Sequence, residues 1–225
     1  VSDPKQEIPR ASRSLLLLAA AAGGLAIFTA MAAIAVRGEP LAFDREILIA
    51  LRRADDPSVP IGPEWLRVFA AELTTLAGTP VLTIMTLSLA GYFALKRHWG
   101  SFFLLLAAVL GETALSNALK QFFNRARPDF IPHLVETASP SFPSGHATSA
   151  AAVYLTLAAL IGRETKERLV RNYVYFVAVL LALIVGASRV YLGVHYPTDV
   201  VGGLSFGAAW AAIVLIAARR LNLGR

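Results

Sequence analysis

Residues 14–36 read SLLLLAAAAGGLAIFTAMAAIAV, with no charged side chain. A helix built from them has no polar face to offer water. A bilayer accepts it, because about 20 apolar residues cross roughly 30 Å of hydrocarbon and a helix satisfies its own backbone. The pattern recurs. Residues 73–95 are uncharged, 99–119 hold one acid, Glu112, and further apolar runs occupy 146–162, 172–188 and 200–218. The fourth and fifth runs are short for a span, so their helices are expected to extend into the flanks. Only 16% of the residues are charged and 56% are hydrophobic. A soluble protein with a large core would interrupt such runs with charge. The expected fold is all-α, a six-transmembrane-helix bundle forming one membrane-embedded domain over 1–225. The first run follows Lys5, Arg10 and Arg13 but is longer than a signal core, and five more runs follow, so it is expected to stay as a helix.

Charge orients the bundle. With the N-terminus inside, the inner segments hold twelve basic residues against four acids, and the remainder nine against eleven. That asymmetry is the positive-inside pattern, so both termini are expected on the cytoplasmic side. It also explains the net charge of +6 without nucleic acid as a partner. With no cysteine, disulfides and cysteine-ligated metal are excluded.

Three connections then face outward. In the first, FDREILIALRR at 43–53 places Phe43, Ile47, Leu48 and Leu51 on one stripe. The stripe fits a short interfacial helix or a loop helix packed on the bundle. Pro63 marks a helix start in PEWLRVF, and Trp65 there fits an interface anchor or a packing residue.

The unusual polar residues gather at the second and third outer connections. KQFFNRARP carries Lys120, Arg127 and Pro128; the stretch ASPSFPSGH ends in Pro143, Ser144, Gly145 and His146; SRVYLGVHYPTD carries Ser188, Arg189, His195 and Asp199. Each has a plain explanation alone: helix-end cations that snorkel, a turn, a structural His–Asp pair. The expected topology, however, puts all three on one face. Together they supply three cations, two histidines and a carboxylate, a set suited to phosphoryl transfer. Lys120, Arg127 and Arg189 hold phosphate oxygens, and N–H groups around Ser144 to His146 add donors at a helix start. One histidine attacks phosphorus while the other protonates the departing oxygen. Pro197 suits a first helical turn, which sets Asp199 in that turn with His195 just before it. This favours His195 as nucleophile, Asp199 as the acceptor that orients its ring, and His146 as acid and base.

These residues resemble the type 2 phosphatidic acid phosphatase superfamily of membrane lipid phosphatases, whose pattern is K-x6-RP, PSGH and SR-x5-H-x3-D. All three parts are present between residues 120 and 199. The resemblance implies a metal-independent, cofactor-free phosphatase working through a phosphohistidine. It implies phosphate binding by Lys120, Arg127, Pro128, Ser144, Gly145, Ser188 and Arg189, with His146 as acid, His195 as nucleophile and Asp199 as orienter. Soluble haloperoxidases of the same superfamily do not fit a chain with six apolar spans. The compact chain looks like the bacterial branch, placing it in the plasma membrane with the site facing the periplasm or exterior. The substrate implied is a lipid phosphate or diphosphate, with undecaprenyl diphosphate favoured over phosphatidylglycerophosphate, phosphatidate and lipid A phosphates. Oligomeric state stays open.

A membrane transporter is the rival class. Glu112 serves it as a pathway residue, or else hydrogen-bonds inside the bundle. Asp129 and His133 read as solvated loop residues or head-group contacts. Tyr191 and Tyr196 read as pocket or interface residues. Gly23-Gly24 reads as a close helix contact, as helix flexibility or as chance.

Overall fold

The structure, a computed structural model, describes residues 10–221, with side chains from residue 14 onward. Lys5 and Arg225 of the expected inner face, and the side chains of Arg10 and Arg13, lie outside the described residues. The helices are α1 (Arg10–Ala35), α2 (Ala42–Ala50), α3 (Glu64–Thr75), α4 (Thr79–Leu95), α5 (Trp99–Phe123), α6 (Gly145–Glu164), α7 (Arg168–Tyr191) and α8 (Pro197–Arg220). Ser14–Ala35 of α1, together with α5, α6, α7 and α8, are long and apolar enough to cross a membrane. As expected, the fourth and fifth runs extend into their flanks.

The second apolar run differs from expectation. It is not one helix: α3 ends at Thr75, α4 begins at Thr79, and their axes bend by 41°. The cause is local. Pro80 sits in the first turn of α4 behind Gly78, where its missing N–H costs nothing, whereas a continuous helix would drive its ring into the carbonyl of residue 76. Counted as one broken span, α3 and α4 make a sixth crossing beside the other five.

α6 and α8 are the most buried spans and pack against each other, with α1 against α8 and α7 against α6. Small residues allow the approach. A Cβ on Gly203 would stand 2.7 Å from the Ser144 carbonyl oxygen, and one on Gly24 would stand 2.7 Å from that of Ser205. Gly23, by contrast, faces open space. This packing brings the ends of α5 and α7 and the starts of α6 and α8 to one end of the bundle.

α2 lies against that end. Leu48 is buried with Ile131 and Tyr196, but Phe43 and Ile47 are exposed and Leu51 is half-buried. The inward face also carries a charge, Asp44, which accepts from the Thr198 backbone N–H at 3.0 Å and the Thr198 hydroxyl at 2.8 Å. Pro63 is the N-cap of α3, where Trp65 is exposed.

Candidate active site

Four chain ends build the site. α5 delivers Lys120 in its last turn and stops at Asn124, whose φ of 41° turns the chain sharply. α6 starts at Gly145 with Ser144 as N-cap, so Gly145 and His146 occupy its first turn, where N–H groups have no partner within the helix. α7 delivers Arg189 in its last turn. Gly193, at φ 77°, turns the chain back so that His195 precedes α8. Pro197 opens α8 as expected, and Asp199 sits at its third position, accepting from the Tyr196 N–H at 3.0 Å.

The cations converge. Lys120 Nζ donates to the Pro140 carbonyl at 2.7 Å. Arg127 donates to the carbonyls of Ser139 and Val194, and its Nη1 lies 3.2 Å from Nε2 of His195. Arg189 Nη1 donates to Thr74 Oγ1 at 3.1 Å. Gly145 lies beside Lys120; a Cβ there would sit 3.4 Å from Cε of that lysine. Half-buried His146 is within electrostatic reach of Arg189, Lys120 and Arg127. Two buried donors, Ser144 Oγ and Arg189 Nε, have no hydrogen-bond partner within the protein. Buried polar atoms are rarely left so, and donors among fixed cations suit an anion.

Ser188 and Pro128, the other expected phosphate contacts, have protein partners here. The Ser188 hydroxyl donates to the Val185 carbonyl in its own helix at 2.7 Å, and the Pro128 carbonyl accepts from His133 Nε2 at 2.6 Å. His133 thereby ties the loop, while Tyr191 donates to the Ile61 carbonyl and Tyr196 is buried.

His195 is 1% exposed. Burial pushes its imidazole down to about 3; the Asp199 contact pulls it up, and Arg127 and Arg189 push it down further. The ring is therefore neutral near pH 7, and its 3.6 Å approach to Asp199 joins an imidazole, not an imidazolium, to the carboxylate. Arginine only donates, so Nε2 carries the lone pair and Nδ1 the proton. That proton faces Ser141 Oγ at 3.3 Å, and the serine hydroxyl donates to Asp199 Oδ2. A serine thus stands beside the His195–Asp199 contact, where the sequence suggested direct acceptance. Burial also lowers Arg127, opposed by Asp199.

The second finding beyond the sequence reading is Arg125. It is buried, bonds Asp199 Oδ1 at 2.5 Å and Thr198 Oγ1 at 2.9 Å, and lies 3.7 Å from Asp44. Its guanidinium covers the Tyr196 ring at 4.4 Å. Asp44, Arg125 and Ser141 all stood in stretches singled out for other reasons. The available signal was a third basic residue in KQFFNRARP, one more than snorkelling to the surface requires.

Away from the site, Glu112 is 1% exposed and accepts from Ser149 Oγ at 3.1 and 3.2 Å, which is the hydrogen-bonded alternative for that acid. Among the described residues, no three His, Cys, Asp or Glu side chains come together as a metal site.

Comparison with known proteins gives one consistent picture. The family model described as PAP2 superfamily matches residues 101–222. The chain is 39% identical over 168 residues to phosphatidylglycerophosphatase B of Bacillus subtilis (strain 168), covering 70% of this chain and 80% of that protein. It is 30% identical over 146 residues to undecaprenyl-diphosphatase BcrC of the same organism, covering 62% and 66%. Among solved structures, a transmembrane PAP2-type phosphatidylglycerolphosphate phosphatase from Bacillus subtilis superposes with a TM-score of 0.77 at 31% identity, covering 90% of this chain and 98% of that one.

Proposed function

We propose, from the premise that this chain belongs to the PAP2 superfamily, that it is a multi-pass membrane phosphatase hydrolysing lipid phosphates through a phosphohistidine on His195. The observation that carries this is the placement of His195: buried, with Nε2 3.2 Å from Arg127 Nη1 among the cations and Nδ1 facing Ser141 and Asp199. Lys120, Arg127, Arg189, Ser144 and the first turn of α6 hold the phosphate and stabilise the charge on its oxygens. Nε2 attacks phosphorus, His146 gives its proton to the departing lipid oxygen, and the same residue then activates water to cleave the phosphohistidine. Three fixed cations do the electrostatic work, so no metal or cofactor is assigned a step. The chain acts as one membrane-embedded domain in a bacterial plasma membrane. Its termini are inside and the site at the outer face, as the charge asymmetry supports.

Phosphatidylglycerophosphate is the finer substrate reading, supported by the relative of that name that matches over 70% of the chain. Undecaprenyl diphosphate, favoured by the sequence wording GVHYPTDVVGG, keeps support from a relative matched over a smaller share. Phosphate release by purified protein in detergent with EDTA separates them, using both lipids, phosphatidate and a lipid A phosphate, with His195→Ala as blank. The expected result is metal-free release that the variant lacks, fastest on phosphatidylglycerophosphate. Undecaprenyl diphosphate turning over fastest reverses the order of the two. Release that needs a divalent ion, or that survives in the variant, overturns the mechanism.

A further inference from the structure

We infer that Ser141 is a positioning residue, one that couples His195 to Asp199 and so holds the attacking ring in its productive tautomer. The inference rests on His195 being the nucleophile. It begins with a gap: Asp199 Oδ2 lies 3.6 Å from His195 Nδ1, beyond a hydrogen bond. The carboxylate is not free to close it. Arg125 holds Oδ1, while the Tyr196 N–H holds Oδ2 at the start of α8. Ser141 Oγ fills the space, 3.3 Å from Nδ1 and bonded to Oδ2. Its direction is set by its neighbours. A carboxylate only accepts, so the hydroxyl proton goes to Asp199 and an oxygen lone pair is left facing the Nδ1 proton.

Ser141 is itself fixed. It is 0% exposed, and its N–H donates to the Arg125 carbonyl at 2.8 Å. Phe142, the next residue, is also 0% exposed and packs against Phe28 and Phe123. The hydroxyl is therefore aimed by backbone and packing, and it needs no rearrangement when substrate arrives.

The chemistry gives it work. As the Nε2 lone pair forms the P–N bond, the bond from phosphorus to the lipid oxygen breaks and that oxygen takes the His146 proton. Nδ1 keeps its own proton, so the ring becomes cationic. The Ser141 oxygen accepts a stronger hydrogen bond from it, while Asp199 holds the serine proton and balances the charge. When water cleaves the P–N bond, the electron pair returns to Nε2 and the ring is neutral again.

The test is the full chain in detergent micelles, mixed rapidly with labelled phosphatidylglycerophosphate and quenched into base to preserve phosphohistidine. Ser141→Ala is expected to slow phosphohistidine formation by about 10- to 100-fold, the scale of one hydrogen bond to a charged group, with KM within about twofold. Ser141→Cys keeps the volume but donates weakly, so it is expected to be slow also and guards against a folding defect in the alanine variant. In an Asp199→Asn background the further cost of Ser141→Ala is expected to shrink below about threefold, because the two act as one unit. An unchanged rate in both serine variants overturns the inference alone, as does an equal cost in both backgrounds, which marks a merely structural serine. No label on His195 in the wild type overturns the nucleophile assignment and the inference with it.

Discussion

Arg125→Met removes the one cation between two buried carboxylates, Asp44 and Asp199, both 0% exposed. At an effective dielectric of 20, unit charges at 2.5 and 3.7 Å attract by about 7 and 4 kcal/mol. Desolvation of the three ions cancels most of that in the native protein. It does not cancel for the charges left behind, and deleting one partner of a buried pair costs about 3–5 kcal/mol. For a chain of this size that is a fall of about 6–20 °C in the unfolding midpoint. Tryptophan fluorescence during heating in micelles reads it. Asp44→Asn in the same chain relieves one of them, so the double variant is expected to lose about 1–3 kcal/mol less than the sum of the two singles. A midpoint within about 2 °C of wild type for Arg125→Met, or strict additivity with Asp44→Asn, would refute the reasoning: the guanidinium would then be held by the Tyr196 ring and by packing.

The neutral state of His195 has a direct readout: its ring nitrogens, followed by NMR in histidine-labelled protein, are expected not to titrate between pH 5 and 8. Its imidazole is held at about 3, below the ordinary 6.5, so its contribution to stability is complete above pH 6.5 and is lost as pH falls from 6.5 toward 3. His146→Ala is expected to lower turnover by about 100- to 10,000-fold, the range of general acid catalysis, and less so for a substrate with an acidic leaving alcohol; equal losses on both substrates refute the acid role. Gly203→Val sets a side chain where a Cβ already meets the Ser144 carbonyl at 2.7 Å. It is expected to cost about 1–3 kcal/mol and to lower turnover by moving the start of α6, both measurable by heating and by phosphate release.

The spans were legible because hydrocarbon demands length and excludes charge, and a run such as 14–36 states both. The bend at 76–78 was written in Gly78 and Pro80, but a run judged by its hydropathy hides a break made of apolar and small residues. α2 shows what a stripe does not say: Leu48 is buried and Phe43 and Ile47 are exposed, while Asp44, a charge, turns inward to the start of α8. Lys120, His146, Arg189 and His195 were legible because each chemistry-bearing residue stands next to an apolar run that fixes its depth. Arg125, Ser141 and Asp44 were not. Their meaning lies in partners 74, 58 and 154 residues away, and only packing brings those together.

Asp199 serves folding and chemistry with the same carboxylate, and that decides which variant isolates its role. Oδ2 accepts from the Tyr196 N–H, an N-terminal bond of α8, and from Ser141; Oδ1 accepts from Arg125. Asp199→Ala strips all three and leaves Arg125 facing Asp44 alone, so lost activity there reports unfolding as readily as catalysis. Asp199→Asn keeps one acceptor oxygen, enough for either the helix-start bonds or Arg125, and removes the charge that steadies a cationic ring. The asparagine variant is therefore expected to fold, with a midpoint lowered by less than that of the alanine variant, yet to turn over at least about 100-fold more slowly with little change in KM. A variant that folds and keeps its turnover confines Asp199 to holding α8 and Arg125. The orientation of His195 would then rest on Ser141 and Arg127.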